Sequence, residues 1–165
     1  MLFFGANDAC LPGSSTGQHV PINRYIQNLK ALLAHSSVKE HEPRLILVTP
    51  PPVDEYQLEE AGLECGNPEM QRTAEHTKKY ADACRMVGAE LGLAVVDLWS
   101  IFMAKTGWKH GKPLTGSKSV ERSKVLGTLL SDGKSRVLRS SIRLIEGLQG
   151  YILTQMATSF SLTLP

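Results

Sequence analysis

"LFFGANDACLPG", residues 2–13, is the stretch on which the reading of this chain turns. Apolar residues run straight into Gly5-Ala6-Asn7-Asp8, a glycine-led polar turn, the pattern of a short buried strand ending in a tight corner. The corner delivers an asparagine to its tip. Further on, "RLILVTPPP" (44–52) holds a continuous apolar run, Leu45 to Val48, as in a strand covered on both faces. Pro50, Pro51 and Pro52 stop it. "GLAVVDLW" (92–99) repeats the signature over Leu93 to Leu98.

Helical spacing fills the intervals. After the Gly/Ser/Pro loop 11–21, residues Ile22, Tyr25, Ile26, Leu29, Leu32 and Leu33 mark an amphipathic helix over 21–35, with Pro21 in its first turn. From about 70 to 91, Thr73, Ala74, Thr77, Tyr80, Ala81, Cys84, Val87 and Leu91 trace a longer one. Strand, helix, strand, helix, strand implies right-handed crossovers and a parallel sheet with helices on both faces, an α/β fold. Residues 53–68 read as an acidic surface loop or lid, with "VDEYQLEEAGLE" a solvated face. Ile101, Phe102 and Ala104 predict a short helix, and 105–119 a polar loop. "LGTLLSDG" (126–133) brings a buried-looking stretch to an Asp-Gly turn. Beyond it, Leu138, Ile142, Ile145, Leu148, Ile152 and Met156 fall at helical spacing.

A chain of 165 residues is long enough for one domain with a sizeable core. Its net charge of +2 is too weak to argue for a nucleic-acid partner. The charge is uneven, because Lys134, Arg136, Arg139 and Arg143 against Glu146 make residues 134–165 a basic tail. Three widely spaced cysteines, Cys10, Cys65 and Cys84, fit neither a disulfide framework nor a zinc site. No charged-then-apolar leader precedes Leu2, and no apolar run approaches the roughly 20 residues of a membrane span. A soluble, cytoplasmic protein is expected.

In an open parallel sheet, ligands gather beyond the carboxyl ends of the strands. Three polar landmarks fall there: Asn7, the Thr49-Pro50-Pro51-Pro52 corner, and Asp132. An asparagine amide on a tight turn can donate to the oxyanion of a tetrahedral intermediate, and losing such a donor costs about 3 kcal/mol of transition-state stabilisation. An aspartate near the chain's end can orient a histidine. "GSSTG" (13–17) matches the G-x-S-x-G elbow but lacks the strand before and the helix after that the elbow needs. Gly133-Lys134-Ser135 resembles the end of a phosphate-binding loop, yet Thr128 stands where its first glycine belongs. His19 lies in the loop nearest Asn7, where it could line a pocket, although a hydrogen-bonded structural histidine is the commoner case.

Gly5-Ala6-Asn7-Asp8, "ACLPG", "QHVP", the helix with "YIQNL", "LILVTPPPVDE" and "LLSDG", in that order, resemble the SGNH (GDSL-type) hydrolases, and within them the isoamyl acetate-hydrolysing esterase branch, over residues 2–133. The resemblance implies a flavodoxin-like three-layer α/β/α fold and hydrolysis of small acyl esters by a Ser-His-Asp mechanism, with no metal or organic cofactor. It makes Asn7 the oxyanion donor and Asp132 the triad aspartate, with Gly5, Asp8, His19 and Pro51 shaping the site. The family's first two strands, carrying the nucleophile serine and an oxyanion glycine, would precede Met1. Its histidine, three residues after Asp132, is here Ser135. The expectation is therefore a partial hydrolase domain over 1–133, inactive alone, and a divergent tail over 134–165, helical or disordered. A Gly-Lys-Ser triplet encoded GGT-AAG-TCN contains GTAAGT, the form of an intron donor, so the tail is expected to be translated intron or out-of-frame sequence. The alternative is a non-catalytic pseudo-enzyme or fragment that self-associates through the unpaired hydrophobic edge at Leu2 to Gly5.

Overall fold

Ile46-Leu47-Val48 takes the centre of the sheet because it is the run apolar on both faces. A computed structural model describes residues 1–131. In it β2 (Ile46–Val48) lies between β1 (Leu2–Phe3) and β3 (Ala94–Val96), all parallel. The register pairs Leu2 with Leu47 and Phe3 with Val48 on one side, and Ile46 with Ala94 and Val48 with Val96 on the other. Alternate strand residues face opposite ways, and Leu47 and Val48 are both buried, so the sheet is covered on both faces.

The helices of the crossovers start where their caps allow. Pro21 ends the preceding loop and α1 (Ile22–Leu33) follows, with the Pro21 carbonyl accepting from Tyr25 N at 2.9 Å. A single turn, α2 (Ser36–Lys39), follows it, capped by His35. Thr73 caps α4 (Ala74–Glu90) through His76 N at 3.1 Å, and Asp97 caps α5 (Leu98–Lys105) through Ser100 N at 3.1 Å. These short oxygen side chains satisfy amides that the first helical turn leaves bare. The segment 126–131 belongs to α6 (Lys124–Ser131). Met1–Thr128 form one compact unit, and residues 129–131 complete α6.

Tyr25, Leu29 and Leu33 of α1 pack with Tyr80, Ala83, Cys84 and Val87 of α4 and with Leu47 of β2. Gly88 lets α4 approach the sheet so closely that a Cβ there would run into the Val95 side chain. A second cluster joins Ala74 and Ala81 to Trp99, Met103 and Leu114. Thr49, fully buried, ties the ends of two strands. Its N–H donates to Val96 O at 3.1 Å, while its hydroxyl donates to Asp97 Oδ1 at 3.3 Å and accepts from Trp99 N at 3.0 Å. All three cysteines are free thiols. Cys10 and Cys84 are buried and Cys65 is exposed.

Two expectations fail. Residues 53–68 are not an irregular loop, because Glu55–Glu64 form α3, and the stretch read as a solvated face buries Asp54 and Glu55 at its start while Glu60, Leu63 and Glu64 stay exposed. Asp54 caps the helix through Tyr56 N at 3.0 Å, which supplies the start that the acidic composition concealed. The last strand also stops at Val96, since Asp97 caps a helix that takes Leu98 for itself. The helix expected over 138–156 and the character of the tail lie outside the described residues.

Candidate active site

Asn7 sits on a turn that leaves the carboxyl end of β1 through Phe4 and Gly5. Gly5 adopts φ +109°, a region L side chains rarely enter. A Cβ there would stand 2.8 Å from the Tyr25 hydroxyl and 3.2 Å from Pro50 Cγ. The Asp8 carboxylate reaches back to accept from Gly5 N at 3.1 Å. Ala9 N donates to Gly5 O and Cys10 N to Asn7 O, both at 3.0 Å. The tip is wound into a closed corner with the Asn7 side chain exposed and, among the described residues, free of any hydrogen bond. Such an amide keeps both N–H groups available to an incoming anion.

Around this corner the molecule supplies phenols and imidazoles. Tyr25 donates to Phe4 O at 3.2 Å and Tyr80 to Val20 O at 2.6 Å. Burial first pushes both phenols up, followed by the neighbouring Cys84 for Tyr25 and by the Asp8 carboxylate for Tyr80, which rises to about 12. His19 is half-buried, its Nδ1 2.6 Å from Cys10 O and its ring 5.8 Å from that of His76. Burial, followed by Lys79 and His19, holds His76 below the ordinary histidine value. Arg72 Nε donates to the Cys10 sulfur at 3.4 Å. Pro51 is half-buried in the corner after β2, but it is the Pro50 ring that lies against Gly5. Asp132 lies outside the described residues, as does Ser135.

The segment leading towards Asp132 is held by the start of α3. Glu55 N donates to Gly116 O at 2.8 Å, and the Glu55 carboxylate accepts from Ala74 N at 2.8 Å and Lys118 N at 2.9 Å. Tyr56 donates to Val120 O at 2.7 Å, Gln57 Nε2 to Gly127 O at 2.8 Å, and Arg122 pairs with Glu60. Sequence reasoning passed over Asp54, Glu55, Tyr25 and Tyr80. The first two carried a signal, since Asp54-Glu55-Tyr56-Gln57 has cap-box spacing. Among the described residues no group of His, Cys, Asp or Glu is placed to hold a metal ion. No described helix is long and apolar enough to cross a membrane.

A parallel sheet with crossover helices makes this an α/β fold, and residues 1–132 match the family model of the GDSL-like lipase/acylhydrolases. The chain belongs to that family. A GDSL esterase/lipase of Arabidopsis thaliana is 40% identical over 110 residues, 66% of this chain and 46% of that protein. The isoamyl acetate-hydrolyzing esterase 1 homolog of Bos taurus is 38% identical over 107 residues, 64% of this chain and 42% of that one. A crystal structure of a lipase/acylhydrolase from Enterococcus faecalis shares 24% identity and a TM-score of 0.44, over 84% of this chain and 60% of that one. The chain spans less than half the length of these curated relatives.

Proposed function

We propose that this chain carries the oxyanion-donor corner of a carboxylic ester hydrolase acting on small acyl esters, with short acetates such as isoamyl acetate as the substrate class. The observation that supports this is the Asn7 amide, unencumbered on a turn locked by Gly5 and Asp8 at the carboxyl end of a parallel strand. In the complete mechanism a serine hydroxyl attacks the ester carbonyl while a histidine takes its proton. Asn7 donates to the resulting oxyanion and Asp132 steadies the histidine. Gly5, Asp8, His19 and Pro51 shape the surrounding wall. Residues 1–133 are the hydrolase portion and 134–165 a divergent tail. Ser135 stands where the resemblance places the histidine, and on that ground the chain by itself is read as not turning over ester. The three free thiols fit a reducing, cytoplasmic setting.

The test is hydrolysis of p-nitrophenyl acetate by the purified chain. Turnover no greater than that of Asn7→Ala is expected, and clear Asn7-dependent turnover would refute inactivity.

A second reading is favoured by the sheet edge. Phe3 and Phe4 are 40% and 51% exposed. Beside them Phe4, Tyr25, Leu29 and Leu32 help line a groove of about 430 Å³ along α1. We infer that a second copy of the chain covers this edge, giving a non-catalytic self-associating product. Size-exclusion chromatography decides it, since a monomer at all concentrations with cooperative unfolding counts against an edge that needs cover.

A further inference from the structure

We propose that Tyr25 and Tyr80 are positioning residues that aim the Asn7 amide, one from each of the two helices packed beneath its turn. The proposal rests on reading Asn7 as the oxyanion donor. The Asn7 side chain has no hydrogen bond of its own among the described residues, so what the protein fixes is the place and direction of its Cα–Cβ bond, set by the backbone of the turn. That backbone is pinned at both ends by buried phenols. Tyr25, 2% exposed, donates to the carbonyl of Phe4, the residue before the left-handed glycine. Its hydroxyl also occupies the space a Cβ at Gly5 would need, so the phenol is the floor on which the turn rests. Tyr80, 1% exposed, donates to the carbonyl of Val20, whose own N–H donates to Asp8 O at 3.1 Å. Asp8 in turn holds Gly5 N through its carboxylate.

The two anchors are linked to each other. The rings of Tyr25 and Tyr80 lie with centroids 5.2 Å apart and planes tilted by 57°, inside the packing of α1 on α4. Moving either helix would move one anchor relative to the other and rotate the turn between them. A donor misdirected by even a modest angle loses much of its electrostatic effect, because hydrogen bonds weaken steeply with misalignment. Phenols are protonated across the neutral range, and burial pushes both further up, so both are donors there. Phenylalanine at either position would keep the ring in the core but could hold neither carbonyl.

The test needs no turnover. In the full-length ¹⁵N-labelled protein, the side-chain NH2 pair of Asn7 is assigned by its disappearance in Asn7→Ala. Tyr25→Phe and Tyr80→Phe are each expected to shift that pair. Tyr56→Phe deletes a hydroxyl bonded to Val120 O, away from the turn, and is expected to leave the pair unmoved. An Asn7 pair unchanged in both Phe variants, or moved as much by Tyr56→Phe, overturns the proposal. Should a Phe variant not fold, the wild-type protein decides. Slowly exchanging hydroxyl protons of Tyr25 and Tyr80 are expected, and their absence refutes the anchors. Since the readout is geometry at Asn7, failure here is distinct from failure of the inactivity reading, which the hydrolysis assay tests.

Discussion

At Gly5 the conformational demand and the steric one coincide. A Gly5→Ala chain must place a Cβ at φ +109° and 2.8 Å from a buried phenol oxygen. The strain of such a backbone costs about 1–3 kcal/mol, and displacing Tyr25 adds to it. Urea denaturation is expected to show a loss of about 2–4 kcal/mol with an unchanged m-value. His76 sets a different kind of limit. Among the described residues its Nε2 is buried without a partner, and burial holds its folded-state value below that of the unfolded chain. The unfolded chain therefore binds the proton more readily, so this contribution is complete above about pH 6.5 and is lost as pH falls through the lower folded value. Thermal melts are expected to drop from pH 7 towards pH 5, and His76→Phe should flatten part of that drop. Asn7 and Gly5 were legible from the sequence because a glycine-led turn has a fixed grammar. Tyr25 and Tyr80 were not, because a phenol on a helical stripe looks like packing until its hydroxyl finds a carbonyl.

Among the elements, α3 shows best where one-dimensional reading stops. Acidic side chains in sequence signal solvent, yet Glu55 is buried with both carboxylate oxygens occupied by backbone amides from α4 and from the 116–118 turn. Tertiary partners, invisible locally, reverse the usual cost of burying the charge. Glu55→Ala strands the buried Ala74 donor and frees the part-buried Lys118 donor, and is expected to destabilise by about 2–3 kcal/mol, measurable by chemical denaturation. Glu55→Gln, which keeps one acceptor, should lose less. The centre of the sheet was legible, because Leu45 to Val48 is apolar without interruption. The limit of β3 was not, since Asp97 could end a strand or begin a helix until its carboxylate was seen capping Ser100 N.

For the whole molecule, the proposed self-association rests on the outer edge of β1. Edge strands are ordinarily protected by charge or proline, and residues 1–7 hold no charged side chain. Phe3→Lys places a charge on this edge at a site 40% exposed. It is expected to lower the self-associated fraction in sedimentation velocity, with stability changed by no more than about 1 kcal/mol.

The distribution of sulfur offers a gauge of the same molecule's breathing. Of three thiols, only Cys65 reaches solvent in the folded state. A chromogenic disulfide reagent added to native protein should therefore titrate one equivalent promptly. The remaining two, sealed against α1 and the Asn7 loop, should react only as fast as the core opens. Their lag converts directly into an opening free energy for the interior, read without denaturant and without any substrate.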